Sequence, residues 1–200
     1  MSLRMRALNG VPRRVAKPFL ARVCKPQTLR RGFAIAAVLL IKPWHARSRR
    51  GPVGTEITSG TPATGRVILY LHGGGYVAGS AWTHRELLGR MARATGLRII
   101  ATEYRLAPGH PLPMALEDAV LAGGALLASG LAPDRIVLAG DSAGGGLALA
   151  LLAARLRCFG ADVSVQVTPE APHVWQMFGF LPEAAAFLRQ ALAVEGASSS

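Results

Sequence analysis

The chain has 200 residues, half of them hydrophobic, and it carries a formal net charge of +12. This length fits one domain that can bury a real core, and the dominance of Ala, Gly and Leu is typical of a compact α/β protein. The two cysteines, Cys24 and Cys158, show neither metal-ligand spacing nor a disulfide framework, which favours a reducing, cytoplasmic compartment.

The positive charge is concentrated in the first quarter of the chain. Residues 1–50 contain thirteen Lys or Arg and no acid, whereas residues 51–200 hold ten basic and eleven acidic groups. Such a segment could bind nucleic acid or an anionic membrane surface, or it could be a solvated basic leader ahead of an enzyme domain. No known nucleic-acid motif accompanies the charge, so we favour the leader and expect no nucleic-acid partner.

The one apolar run in this region is Phe33–Ile41, which is nine residues long. A membrane-spanning helix needs about 20 apolar residues. We therefore predict no transmembrane segment, and instead a short helix that packs on the domain between the helix breakers Pro26 and Pro43. The chain is divided into a basic leader with cap helices, residues 1–50, and a catalytic domain, residues 51–200.

Strand and helix patterns alternate after Gly51–Gly65, a Gly-, Pro- and Thr-rich segment that we interpret as the boundary between the leader and the catalytic domain. Thr83 and Glu86, at the start of one helical pattern, have capping-box spacing. The alternation predicts an α/β fold with a mostly parallel sheet and helices on both faces. Strands are predicted at Arg66–Leu71, Leu97–Glu103, Arg135–Ala139 and Asp162–Val167. Helices are predicted at Thr83–Thr95, Met114–Ser129, Ala143 to about Phe159, and Pro182–Val194.

The sequence GDSAG at 140–144 lies between a predicted strand and a predicted helix. A serine hydroxyl is a weak nucleophile that must be held on a tight turn beside a base. Gly140 and Gly144 permit this turn, because a side chain there would collide with neighbouring backbone. The following helix directs free N–H groups at any anion formed beside Ser142. We interpret Ser142 as a nucleophile; a glycine-rich turn that merely packs closely is the alternative.

The sequence HGGGY at 72–76 follows the first predicted strand. Its bare amides can approach a substrate carbonyl and donate to the developing oxyanion. A flexible glycine turn is the alternative, and a phosphate-binding loop is disfavoured because no Gly-Lys-Ser/Thr follows. We interpret His72, with Gly73, as holding its own loop, and Asp141 as stabilising the serine turn. The histidines without a chemical setting are His45, His84 and His110.

These two motifs, with YRLAP at 104–108 between them, make the chain resemble the hormone-sensitive-lipase-like (GDXG) carboxylesterases of the α/β-hydrolase fold. The likeness is dense from about Arg66 to Ala154 and resumes over Asp162 to Leu188. The resemblance implies that Ser142 is the nucleophile and that PHVW at 172–175 is the loop of the catalytic histidine. It also implies an oxyanion hole formed by Gly74, Gly75 and the amide of Ala143.

His173 is also the best general base by its position. It follows a predicted strand at the carboxyl end, where α/β active sites collect, and imidazole titrates near neutral pH. An ordinary loop histidine is the alternative. Asp162 and Glu170 are the two carboxylates between Ser142 and His173, and neither is well placed, so the triad acid stays unknown.

The interval between nucleophile and histidine is short. Thirty residues separate Ser142 from His173, which suffices for one helix and one strand, whereas the resemblance implies two further strand–helix units. We interpret this as an internal deletion near residues 152–158. It would move the last strand inward by two positions, about 10 Å, and could displace His173 from Ser142.

Three interpretations follow. We favour a serine hydrolase of the carboxylesterase/lipase type, which cleaves short-chain carboxylic esters through an acyl-enzyme on Ser142 and needs no cofactor or metal. The alternatives are a catalytically impaired pseudo-hydrolase that binds a small molecule, and a truncated gene product without a stable fold. A small-molecule ester is the expected partner, and the oligomeric state stays open.

Overall fold

The computed structural model describes residues 26–40, 46–63 and 65–154. The predicted strand at Asp162–Val167, the predicted helix at Pro182–Val194 and His173 lie outside these residues. The elements in chain order are α1 (Pro26–Leu40), β1 (Arg47–Gly51), β2 (Gly54–Thr58), β3 (Val67–Leu71), α2 (Arg85–Thr95), β4 (Arg98–Thr102), α3 (Met114–Ala128), β5 (Ile136–Gly140) and α4 (Ala143–Ala154).

Five strands form one sheet in the order β1-β2-β4-β3-β5. Strand β3 pairs in parallel with both β4 and β5, and β2 pairs antiparallel with β1 and β4. The three parallel strands, β3, β4 and β5, were all predicted from the sequence. Each begins and ends within one residue of its predicted bounds. The predicted α/β fold is therefore confirmed.

The core lies on both faces of β3, whose five residues are all buried. Ile68 and Tyr70 face a cluster with Leu88 and Met91 of α2. The alternate residues Val67, Leu69 and Leu71 face α3 and α4 on the other side, because successive side chains of a strand point to opposite faces. Each such side chain contributes about 1.5–3 kcal/mol when fully buried, which explains why a continuous apolar run predicts this strand.

The hairpin β1–β2 was not predicted, and β2 lies inside Gly51–Gly65, the segment interpreted as the boundary between leader and catalytic domain. Strand β1 (RSRRG) is exposed along its whole length, and β2 buries only Ile57, so neither carries the apolar pattern of a strand. Gly54, at φ +147°, lies so close to the carbonyl oxygen of Ala101 that no Cβ would fit. Residue 50 lies inside β1, so the end of the proposed leader belongs to the sheet; the division of the rest stays a prediction.

Helix α2 begins without the predicted capping box. Its N-cap is His84, and no side chain caps the helix. The hydroxyl of Thr83 donates instead to the carbonyl oxygen of Ser80 at 2.9 Å. Glu86 lies 3.2 Å from the guanidinium of Arg90 one turn further along, so its carboxylate does not reach back to the helix start. That prediction is wrong because both side chains have nearer partners.

Helix α1 confirms the predicted short helix that packs on the domain. The guanidinium of Arg30 donates from Nε to the carbonyl oxygen of Val77 at 2.8 Å and from Nη2 to that of Ala107 at 3.0 Å. One side chain thus joins α1 to the loop after β3 and to the loop after β4. Among the described helices, none combines the length and the apolar character needed to cross a membrane.

Candidate active site

Ser142 lies in the turn between β5 and α4, with φ +51°. This left-handed conformation is strained for a residue with a Cβ. The glycines on either side explain how the turn closes. A Cβ on Gly140 would lie 2.5 Å from the carbonyl oxygen of Gly144 and 2.8 Å from that of Leu71, and a Cβ on Gly144 would overlap the Leu71 carbonyl. The backbone of the turn therefore packs directly against the carboxyl end of β3, with no room for a side chain between them.

Helix α4 begins directly after Ser142. The N–H of Gly144 donates to the carbonyl oxygen of Asp141 at 2.8 Å, and that of Gly146 donates to the carbonyl oxygen of Ser142 at 3.3 Å. The N–H of Ala143 precedes both and has no acceptor within its own helix, as for every first-turn amide. The positive end of the helix dipole lies at the same place. A developing negative charge beside Ser142 would be stabilised there.

The glycine loop after β3 directs two peptide N–H groups away from its own interior. The carbonyl of Gly73 contacts His72 Nδ1 at 2.9 Å, and the carbonyl of Gly74 accepts from the N–H of Val77 and Ala78 at 3.2 and 3.0 Å. In a trans peptide the N–H points opposite to the preceding carbonyl. The N–H groups of Gly74 and Gly75 therefore point away from the interior of the loop. Both glycines have positive φ, +125° and +63°.

Asp141 joins the glycine loop to the serine turn. Its Oδ1 accepts hydrogen bonds from the hydroxyl of Tyr70 at 2.7 Å and from the N–H of Gly73 at 2.8 Å, and His84 Nε2 lies 3.3 Å away. Burial alone would raise the pKa of Asp141, but the hydrogen bond and charge of His84, followed by Tyr70 and Gly73, hold the pKa below its ordinary value. Asp141 is thus an anion with several donors on one oxygen.

His72 is enclosed beneath the glycine loop. Its ring stacks on that of Tyr104 with centroids 4.2 Å apart, and the Tyr104 hydroxyl donates to the His72 carbonyl at 2.5 Å. Burial is the largest influence on the ring and lowers the pKa of His72 to about 4, although the contact with Gly73 acts in the opposite direction. The next residue, Arg105, is tied to α3 by Nη2, 2.8 Å from Asp118 Oδ1.

The fold brings together most of the residues that the sequence singled out, and it adds others. His173, Asp162 and Glu170 lie outside the described residues. The residues that sequence reasoning missed are His84 and Tyr70, which contact Asp141. The sequence alone does not indicate this role, because His84 lies where a loop meets a helix and Tyr70 lies in a buried strand. The predicted residues that meet at the carboxyl ends of β3 and β5 are His72, Gly73, Gly74, Gly75, Asp141, Ser142 and Ala143.

Two cavities open near this region, of about 400 and 560 Å³. They share Ser80 and Trp82 in their walls, and Ser142 lines neither of them. They therefore do not define the space in front of the serine. Within residues 26–40, 46–63 and 65–154, no three His, Cys, Asp or Glu side chains are grouped so that they could hold a metal ion.

A family described as alpha/beta hydrolase fold matches residues 68–154, the part that carries both motifs. An acetyl-hydrolase of Streptomyces hygroscopicus is 51% identical over 90 residues, which is 45% of this chain and 30% of that protein. A putative acetyl-hydrolase, LipR, of Mycobacterium tuberculosis is 34% identical over 197 residues, covering 86% of this chain and 61% of the relative. In both cases the chain spans less than two thirds of the relative's length.

Two solved structures are similar to this chain as well. An esterase of the bacterial hormone-sensitive lipase family has a TM-score of 0.67 at 37% identity, over 82% of this chain and 55% of that one. A hormone-sensitive lipase from a metagenome library has a TM-score of 0.77 over 96% and 98% of the two chains, at 21% identity, which supports the fold alone. The protein is an α/β hydrolase by fold. Over the residues that carry its two motifs, the chain is similar to the hormone-sensitive-lipase-like esterases that its motifs suggested.

Proposed function

We propose that the protein hydrolyses small carboxylic esters through an acyl-enzyme on Ser142. In this reaction the Ser142 oxygen attacks the ester carbonyl carbon and its proton passes to a base. The tetrahedral oxyanion then collapses and expels the alcohol, which takes up that proton. Water attacks the acyl-enzyme in the same way and releases the acid. The name of one relative, acetyl-hydrolase, supports a short acyl group.

The observation that carries the proposal is the pairing of a strained serine turn with two outward-facing peptide N–H groups. Ser142 has φ +51° at the start of a helix, and the Asp141 carboxylate binds the glycine loop beside it. We propose that the N–H groups of Gly74, Gly75 and Ala143 form the oxyanion hole. His72, Gly73 and Asp141 would support it. One donor of this kind is worth about 2.7–4 kcal/mol at the barrier.

We propose His173 as the general base, on its sequence position alone. The identity of the triad acid is left out of the proposal, because neither Asp162 nor Glu170 lies among the described residues. A serine–histidine pair without an orienting acid retains part of its rate, since the oxyanion hole and substrate binding contribute independently. A cytoplasmic location is also a proposal, based on Cys24 and Cys158. The proposed function includes no nucleic-acid partner.

The test is ester hydrolysis and active-site labelling of the full chain. With 4-nitrophenyl acetate, Ser142→Ala should lower kcat at least about 10³-fold, because the covalent route is removed. A fluorophosphonate should label the folded wild type at Ser142, as located by mass spectrometry of the digested protein. The His110→Ala variant is the matched control for His173→Ala, since His110 is an exposed loop histidine.

Each result bears on a separate part of the proposal. Folded wild-type protein that neither reacts with the fluorophosphonate nor turns over the ester contradicts the function as a whole. Equal turnover by wild type and Ser142→Ala contradicts the acyl-enzyme. Wild-type rates in His173→Ala, with the same pH profile, contradict His173 as the base and leave Ser142 in place. Tight ester binding without turnover identifies the binding protein that the sequence left as an alternative.

A further inference from the structure

The carbonyl group of Gly74 is the acceptor for two backbone N–H groups of its own loop. Val77 and Ala78 donate to it at 3.2 and 3.0 Å. In a planar trans peptide this carbonyl and the N–H of Gly75 belong to one rigid unit and point in opposite directions. Whatever holds the Gly74 carbonyl therefore also fixes the direction of the Gly75 N–H, which is one of the three proposed oxyanion donors.

The two peptide units that donate to this carbonyl are each held at their other end by a group from outside the loop. The carbonyl oxygen of Val77, in the same peptide as the N–H of Ala78, accepts from Arg30 Nε at 2.8 Å. The carbonyl oxygen of Tyr76, in the same peptide as the N–H of Val77, accepts from the N–H of Ala107 at 2.9 Å. Each donating peptide thus has both of its polar groups bound, which fixes its plane.

Arg30 acts on both of these peptide units. Its Nε binds the Val77 carbonyl directly. Its Nη2 donates to the carbonyl oxygen of Ala107 at 3.0 Å, so the same side chain also holds the residue whose N–H binds Tyr76. The guanidinium is planar and presents its donors in a fixed fork. One side chain of α1 therefore sets how the loop after β3 lies against the loop after β4.

The guanidinium also affects the strength of the last donor in this series of hydrogen bonds. It is a permanent cation, and hydrogen bonds in series polarise one another by roughly 10–30% per bond. The series begins at Arg30, passes through two linked peptide units and ends at the N–H of Gly75. A cation at its start makes that N–H a better donor to an oxyanion. The effect is modest, because Arg30 is exposed and water screens its charge.

We propose that Arg30 is a positioning residue of the oxyanion hole, which orients and strengthens the N–H of Gly75 through the loop between them. Arg30 lies within residues 1–50, the basic leader, so this part of the chain contributes to the site. It acts through the loop and not on the reacting atoms. Its effect on catalysis rests on the proposed function, whereas its hold on the loop does not.

The first test measures the loop itself, by amide NMR of the full chain. In Arg30→Gln the N–H of Ala78 should exchange with solvent about 3- to 10-fold faster than in wild type, because its peptide loses the bond at the carbonyl. The amide proton shifts of Ala78 and Gly75 should move upfield as their donors are less polarised. The control is Arg31→Gln, which removes the same charge from an exposed neighbour and should change neither amide. Unchanged Ala78 and Gly75 signals in Arg30→Gln overturn the proposal, even if the protein turns over no ester.

The second test measures the oxyanion hole. In Arg30→Gln, kcat for 4-nitrophenyl acetate should fall about 3- to 10-fold, less than for the loss of a whole oxyanion donor, with KM changed less than about twofold. The affinity for a trifluoromethyl ketone, which forms an oxyanion on Ser142, should fall by the same factor as kcat/KM, because such a ligand binds as the transition state does. Arg30→Lys keeps the cation but lacks the fork, so its kcat should lie between those of wild type and Arg30→Gln.

The outcomes separate positioning from general stability. Arg30→Gln with a lower Tm but wild-type kcat and ketone affinity overturns the catalytic role. An equal loss of kcat in Arg31→Gln shows a general effect of charge and overturns the route through the loop. Arg30→Lys with no more activity than Arg30→Gln overturns the polarisation by the cation. A wild type that neither hydrolyses the ester nor binds the ketone contradicts the proposed function, and the NMR comparison then decides the hold of Arg30 on the loop.

Discussion

The N–H of Gly73 donates to the Asp141 carboxylate at 2.8 Å, and this bond joins two turns that are 68 residues apart in the chain. One turn presents glycine amides, and the other presents Ser142. Parallel pairing of β3 with β5 brings their carboxyl ends together, with Leu71 opposite Gly140. The bond then sets the orientation of the glycine loop relative to the serine. A Cβ on Gly73 would overlap the Asp141 carboxylate, so the contact also explains that glycine.

Backbone strain at Ser142 should lower the free energy of unfolding by a measurable amount. Ser142→Gly and Ser142→Ala both lack the hydroxyl, but only alanine keeps a Cβ in the left-handed conformation at φ +51°. That conformation costs about 1–2 kcal/mol, and glycine loses about 0.4–1 kcal/mol through the entropy of the unfolded chain. We expect Ser142→Gly to be the more stable variant by about 0.5–1 kcal/mol in urea unfolding. Equal or greater stability of Ser142→Ala would contradict strain at this turn.

The close approach of the serine turn to β3 should make Gly144 intolerant of any side chain. In Gly144→Ala the added Cβ meets the carbonyl oxygen of Leu71, which is backbone and cannot rotate away. We expect a loss of about 3 kcal/mol or more, or failure to fold. Gly124→Ala in α3 is the matched control, because its Cβ would meet nothing within 4 Å. It should gain about 0.5–1 kcal/mol. Similar Tm values for the two variants would refute this packing.

His72 should make the protein less stable in mild acid. Its pKa is about 4 in the folded protein, mainly because of burial, against about 6.5 when unfolded. Between these values the unfolded chain binds the extra proton, so stability is present at neutral pH and is lost as the pH falls. The loss should be about 2 kcal/mol between about pH 6.5 and 4.5. Urea unfolding across this pH range should show a smaller loss of unfolding free energy in His72→Gln than in wild type, and the wild-type loss in His110→Gln. The same pH dependence in His72→Gln and wild type would contradict the role of His72.

Arg30 should control how firmly α1 is attached. Arg30→Gln removes the hydrogen bonds to Val77 and Ala107, which lie on two different loops. Because the side chain is exposed, we expect the two bonds to contribute only about 1 kcal/mol, or roughly fivefold faster amide exchange in α1. Hydrogen exchange followed by mass spectrometry measures this, with the exposed neighbour Arg31→Gln as control. Equal exchange in both variants would show that other contacts hold the helix.

The elements that sequence reasoning predicted share a local signal. Strand β3 is an apolar run that must be buried on both faces, and the glycines of the two motifs are needed wherever backbone meets backbone. The hairpin of β1 and β2 has no such signal. It is polar and exposed, and it forms because β4 offers a free edge to β2. The capping box at Thr83 failed for a different, local reason, since the Thr83 hydroxyl bonds the carbonyl oxygen of Ser80 three residues earlier.

By itself the sequence predicted the α/β fold, the likeness to hydrolases and a tight turn at Ser142, because strand burial and glycine turns leave their pattern within a few neighbouring residues. Only the tertiary structure decided that His84, Tyr70 and Gly73 meet on the Asp141 carboxylate. These groups come from separate elements, and their contacts with Asp141 depend on the pairing of β3 with β5, which sets Val67 opposite Ile136. A side chain such as His84 therefore looks ordinary in the chain and acquires its role only where the fold buries it beside a charge.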